Sequence, residues 1–272
     1  MKVIVKEISV PSRNSEIAID LYADTHLGSL SVDEKLLRRH VSRTASNGNY
    51  WCHLGDIIDG IVPPDRRFDM RNLTPWAQES YLNNELIQGE WDMFKDIFDS
   101  ISSQCLFVLD GDGKHNCYNN ISDCMKRALA NMNILGGHPS VYLILKFNRH
   151  GSVREVPLVF HHGWFAGRRA GSKVNNLELA LLTYPEAWGF FCGHGHTKAA
   201  IPPQVSLVVR GDHIEDLIRR AAMTGSYLKT YAEDTVGYAD RKGYPPVALG
   251  HVTVIIRPYA TDVNERIELR NL

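Results

Sequence analysis

Gly189-Phe190-Phe191-Cys192-Gly193-His194-Gly195-His196 is a short apolar run that ends in two histidines, set two residues apart and flanked by glycines. Gly189 to Cys192 reads as a short strand, and the glycines let the chain turn sharply as it leaves. Taken alone, the cluster fits a metal clamp or a solvated loop. The same design occurs four more times upstream, at or just after strand-like runs: Asp24-Thr25-His26, Gly55-Asp56-Ile57-Ile58-Asp59, Gly111-Asp112-Gly113-Lys114-His115-Asn116 and His161-His162-Gly163. Each has a bland explanation in isolation, such as an aspartate bonding its own turn or a core histidine on a backbone carbonyl. Five in order at strand ends are improbable as coincidence. Together they offer carboxylate oxygens and imidazole nitrogens in numbers that suit two divalent cations. The mixture favours Mn, Fe or Zn over Ca, which prefers oxygen alone, and paired metals serve in-line displacement at phosphorus.

Strand-like and helix-like segments alternate around these clusters. Ile17 to Tyr22, Tyr50 to Leu54 and Cys105 to Leu109 read as strands. Ser31 and Glu34 have the spacing of a capping box, and Leu36, Leu37, His40 and Val41 repeat at helical spacing behind them. Thr74-Pro75 begins a long helix with Leu82, Leu86, Trp91, Phe94 and Ile97 or Phe98 on its apolar face. Ile121 to Met132 is helical. Val141 to Phe147 and Val153 to Phe160 flank Arg149-His150-Gly151-Ser152, a hairpin turn. A helix follows over Asn175 to Leu182, then strands at Val205 to Val209 and His251 to Ile256, with Thr261 to Leu269 pairing with the last. The clusters thus fall at strand C-terminal ends, where open α/β sheets place their sites.

The chain has 272 residues, 44% of them hydrophobic, and a formal net charge of −1. No global basic field argues for nucleic acid, so any such binding must be local. The five cysteines have no framework spacing and read as free thiols in a reducing compartment. Met1 to Val10 alternates polar and apolar residues, unlike a signal peptide, and no apolar run approaches the ~20 residues of a membrane span. The expected location is cytoplasmic, with no membrane contact.

The ordered clusters resemble the calcineurin-like metallophosphoesterase superfamily, whose pattern is Asp-x-His, Gly-Asp-x-x-Asp, Gly-Asn-His, His, then Gly-His-x-His. Four of the five elements match. The Asp-Thr-His-Leu-Gly form of the first is also similar to a DNA-repair nuclease branch. His162-Gly163-Trp164-Phe165-Ala166-Gly167-Arg168, Gly171-Ser172-Lys173-Val174-Asn175 and Thr224-Gly225-Ser226-Tyr227 look like phage-type members. The resemblance implies an α/β fold, a sandwich of two mixed β-sheets flanked by helices, spanning 1–272 as one domain. It implies one metal on Asp24, His26, Asp56 and His196, and a second on Asp56, Asp112, His162 and His194. His162 is preferred to His161 because it directly precedes Gly163, as the family histidine often does. Asp59 would orient a ligand histidine.

The third element departs from the pattern. Asp112 stands at the asparagine position, and Gly113 where the family has the histidine that protonates the leaving group. His115, two residues on, is then the candidate acid. The alternative alignment puts Lys114 at the ligand position, where an ammonium has no lone pair to give. Arg168, Arg169 and Lys173 follow the fourth cluster among glycines and could hold a phosphodiester; Arg66, Arg67 and Arg71 could line the same groove. A solvated loop is the alternative for each. Trp164 and Phe165 could stack on a base or pack beneath the loop.

The expected function is phosphate-ester hydrolysis by a hydroxide activated on two divalent cations, Mn first, with Fe, Zn and Mg as alternatives. The leading substrate class is phosphodiester, of DNA, RNA or a nucleotide. A phosphomonoesterase and a non-catalytic, metal-retaining interaction scaffold are the other readings.

Overall fold

The computed structural model describes residues 1–63, 65–111, 122–165, 169–231 and 243–272. Two mixed sheets lie face to face. The first contains β1 (Lys2–Ser9), β6 (Ser140–Arg149), β7 (Ser152–His161), β8 (Gly189–Cys192), β11 (His213–Met223) and β10 (Gln204–Arg210) in that order, with β9 (Ala199–Ala200) pairing with β11. The second runs β13 (Ile267–Arg270), β12 (Val252–Ile256), β2 (Ile17–Tyr22), β3 (Tyr50–His53), β4 (Cys105–Leu109), β5 (Gly136–His138). Strands β2 to β5 are parallel, and β12 and β13 add antiparallel strands at one edge.

Side-chain alternation builds the layers. Ile19 and Leu21 of β2, Cys52 of β3, and Phe107 and Leu109 of β4 point into the inter-sheet core. There they meet Leu143, Leu145 and Phe147 of β6, Leu158 and Phe160 of β7, and Phe191 of β8. Each such buried side chain contributes roughly 1.5–3 kcal/mol. The alternate residues Tyr22, Trp51 and Val108 face outward under helices α1 (Glu34–Asn47), α3 (Leu86–Phe98) and α4 (Ser122–Asn131). Val159, Phe190, Ala221 and Met223 do the same under α5 (Ala170–Thr183) on the other sheet. The result is an α–β–β–α sandwich, as the resemblance implied.

Several local readings differ from the structure, among them the last strand, which is confined to Ile267–Arg270. Asp33, not Ser31, caps α1, its carboxylate accepting from Leu36 N at 3.0 Å. The single long helix is two, α2 (Pro75–Leu82) and α3, because Asn84 takes a left-handed φ of 61° between them; asparagine tolerates that conformation. Leu82 consequently leaves the apolar face and is 70% exposed. The eleven-residue β11 carried no clear period in the sequence, because it passes from an exposed hairpin into the centre of a sheet. The hairpin of β6 and β7 turns at His150-Gly151, both with positive φ. Cys52, Cys105, Cys124 and Cys192 are free thiols. Among the described residues no helix is long and apolar enough to cross a membrane.

Candidate metal centre

The C-terminal ends of β2, β3, β7 and β8 converge on one point. There, Asp24, His26 and His196 form one group of potential ligands, and Asp56, His162 and His194 a second; within each group the donor atoms lie within 4.8 Å of one another. His26 Nε2 and His196 Nε2 are 3.3 Å apart, and His162 Nε2 and His194 Nδ1 3.1 Å apart. Asp56 stands between the groups. Its Oδ2 is 3.3 Å from His162 Nε2 and 4.0 Å from His26 Nε2. The two consecutive histidines separate by strand alternation: His162 enters the site, while His161 turns away, accepts from Gly163 N at 2.8 Å and meets Trp164 edge-on.

Backbone geometry marks the same residues. Asp24, His26, Asp56, His194 and His196 have φ between 40° and 66°, five of the nine non-glycine residues with positive φ among those described. Such conformations cost of order 1–3 kcal/mol each and persist only where the surroundings enforce them. Here the enforcement is a lattice of hydrogen bonds between the crossing loops. Asp24 N donates to Gly55 O (3.0 Å), His26 N to Asp56 O (3.1 Å) and Gly193 N to His162 O (2.8 Å). His194 N donates to Asp24 Oδ2 at 2.8 Å, and Ser226 Oγ to Asp24 O at 2.9 Å. Beneath them Gly55 and Gly111 pack backbone to backbone. A Cβ on Gly55, whose φ is 104°, would lie 2.3 Å from Gly111 Cα, and one on Gly111 2.3 Å from Asp56 N.

The residues present fit divalent cations. Each group combines one carboxylate with two imidazoles, a donor set suited to first-row transition metals. Asp24 Oδ1 is buried with no hydrogen-bond partner and lies 3.7 Å from His196 Nε2. His162 Nδ1 donates to Leu54 O at 2.8 Å, which directs Nε2 into the site. Burial drives the Asp24 carboxyl up to about 7, with Asp56 adding to the rise. Burial works against the His162 imidazolium, but the carboxylates of Asp56 and Asp24 outweigh it and hold the group at about 9. His26 is likewise raised, burial being outweighed by Asp59 and Asp56. Without a cation, protons therefore neutralise the carboxylates; a bound cation would displace them.

Other residues singled out by the sequence are placed as follows. Asp59 Oδ1 is 3.6 Å from His26 Nδ1, where it can orient the ring. Lys173 is not an open phosphate contact: it is buried, and its Nζ donates to Gly195 O at 3.0 Å, between His194 and His196. Arg169 is exposed at the start of α5. Arg67 is paired with Asp65 and Arg71 with Asp69, both at 2.8 Å. Trp164 is exposed and Phe165 buried. Asp112, His115 and Arg168, with Gly113 and Lys114, lie outside the described residues.

Two supporting groups were not legible as such. His53 is fully buried, bonded to Thr25 Oγ1 (3.0 Å) and Gly55 N (3.2 Å), with its pKa depressed to about 3 by burial. It is a neutral strut between the first two clusters. Thr224-Gly225-Ser226-Tyr227, noted in the sequence without a role, clamps β2 and its exit: Thr224 Oγ1 donates to Leu21 O at 2.6 Å, and Ser226 holds the Asp24 carbonyl.

No family model matches the chain, and no curated protein matches it. A solved structure that resembles it is described as GAP50, the anchor in the inner membrane complex of Plasmodium. It shares 8% identity at a TM-score of 0.48, over 93% of this chain and 83% of that one. A likeness that slight carries no assignment.

Proposed function

We propose that this protein is a dinuclear metal-dependent phosphoesterase, acting on phosphodiesters of nucleic acid or nucleotides. The supporting observation is the position of Asp56, one carboxylate set between two groups of imidazoles, with His26 and His162 buried, and within 4.0 Å of a nitrogen in each. Asp24, His26 and His196 would hold one cation, His162 and His194 the other, and Asp56 both. Two divalent cations held there would supply Lewis acidity toward a phosphoryl oxygen and a nucleophilic water at neutral pH. The chain's own contribution is orientation. Asp59 fixes the His26 ring, Leu54 O fixes His162, and Lys173 fixes the peptide between His194 and His196. Mn is expected to serve better than Ca because imidazoles disfavour Ca.

The test pairs metal counting with turnover. Purified protein should bind two Mn per chain and hydrolyse bis-p-nitrophenyl phosphate faster than p-nitrophenyl phosphate. Chelation should abolish both activities, and Mn should restore them better than Ca. Two bound metals with no turnover on either ester, or on single-stranded or duplex DNA, would leave the interaction scaffold as the function. Full turnover after verified metal removal would overturn the whole reading.

A further inference from the structure

Four arginines converge on a hollow at the opposite end of the sandwich from the metal centre. Arg149 and Arg154 flank the turn between β6 and β7, Arg266 immediately precedes β13, and Arg13 comes from the connection between β1 and β2. With Tyr259 they line a cavity of about 430 Å³. The metal ligands follow the last residue of β7 and the cavity adjoins its first, so the ten-residue strand separates the two by roughly 30 Å.

None of the four makes an ion pair within 4.0 Å among the described residues. The neighbouring Arg257 and Arg270, by contrast, are each paired with Glu16 and Glu268. The acid whose field reaches Arg154 and Arg266 is Glu215, which is itself bonded to His213 at 3.2 Å. The guanidiniums are held in place by neutral groups instead. Arg154 donates to Pro258 O at 2.8 Å and Arg266 to Ala260 O at 3.2 Å; Arg149 and Arg154 lie against the Tyr259 ring, at 5.1 and 5.8 Å from its centre. Arg149 Nε is buried with no acceptor. Burial first, and the adjacent Arg154 second, push Arg266 below the usual guanidinium range, with Glu215 opposing. A chain of net charge −1 has ample carboxylates to relieve this cluster, yet among the described residues none lies within ion-pair distance of it.

We infer that this hollow is a second anion site, built for a compact polyphosphate group such as a nucleoside triphosphate or inorganic tripolyphosphate. Guanidinium forks suit phosphate oxygens bidentately. Four of them, gathered from distant parts of the chain around a small concavity, match several charges close together rather than an extended backbone.

Titration calorimetry of the full chain with tripolyphosphate, in low salt and with excess chelator, tests the assignment. The expected result is one equivalent bound, undiminished by chelator. Arg149→Gln and Arg13→Gln should each weaken binding ~10-fold or more, the effect of losing one charge-assisted contact. Arg13 is exposed and Arg149 gives up only its contact with the Tyr259 ring, so both variants should keep the wild-type circular dichroism and melt within a few degrees of wild type without ligand. Arg257→Gln should leave affinity unchanged. A parallel titration with ATP separates the two sources: equal affinity assigns the site to the phosphate chain alone, and tighter ATP binding to a nucleotide. Absent binding, binding lost with chelator, or binding indifferent to Arg149 and Arg13 would overturn the inference. So would arginine-dependent binding of a single-stranded oligonucleotide but not of tripolyphosphate.

Discussion

Asp24→Asn should make the metal-free protein more stable while disabling the proposed metal centre. Asp24 is fully buried, with Oδ2 satisfied by His194 N and Oδ1 by no hydrogen bond. Burial lifts its pKa from 3.8 to about 7. At ~1.4 kcal/mol per tenfold change in protonation, that rise corresponds to ~4 kcal/mol against the ionised form. The sign follows from the direction. A folded pKa above the unfolded one means that the fold binds the proton more tightly. The penalty is therefore absent below about pH 4, grows as the pH rises to about 7, and is constant beyond. An asparagine keeps the oxygen that accepts from His194 N and carries no charge, but it buries an amide, so ~2 kcal/mol of net stabilisation is expected near pH 8. Urea unfolding of chelator-treated wild type and variant between about pH 5 and pH 8 measures this directly. The variant should lead increasingly as pH rises, while adding Mn should stabilise the wild type strongly and the variant weakly. If the variant is the less stable protein at pH 8 without metal, or still binds two Mn per chain, the reasoning about Asp24 fails.

Asp59→Asn should weaken one of the two proposed cations ~10–100-fold, the usual effect of a lost orienting partner, and leave the other; equal weakening of both would contradict its role at the His26 ring. Gly55→Ala should destabilise the fold by ~3 kcal/mol or more, from a Cβ forced against the Gly111 backbone at positive φ, and a melting temperature within a degree or two of wild type would show that the loops can part. Burial opposes ionisation of Asp20, but His251, Thr253 and Thr44 outweigh it and hold the carboxyl at about 2. That depression contributes ~2–3 kcal/mol at neutral pH, present above about pH 4 and lost as pH falls through about 2. Asp20→Asn should therefore flatten the acid limb of the stability profile, and an unchanged acid midpoint would count against this network.

The chemistry of the candidate site was written locally. Asp24, His26, Asp56, His162, His194 and His196 stand out because each lies within four residues of the end of a strand, and a strand's period of two already separates His161 from His162. The fold class was legible for the same reason: Ile17–Tyr22, Cys105–Leu109 and Gly189–Cys192 are short buried runs whose boundaries the structure reproduces residue for residue. What a linear chain does not encode visibly is which segments meet. The division of six residues into two groups of three, the position of Asp56 between them, and the positive φ shared by five of them depend on loops crossing from different strands and bonding to one another. Lys173 looked like a surface cation because its partner, Gly195 O, is a backbone atom that no side-chain pattern announces. The break at Asn84 was hidden because asparagine is compatible with helix and with the left-handed region alike, and packing made the choice. The four arginines of the far cavity lie at positions 13, 149, 154 and 266 and form no motif. Pairing of β6 with β7 sets Arg149 near Arg154 in the first sheet, and only the stacking of the second sheet on it, with the β1–β2 connection, adds Arg266 and Arg13.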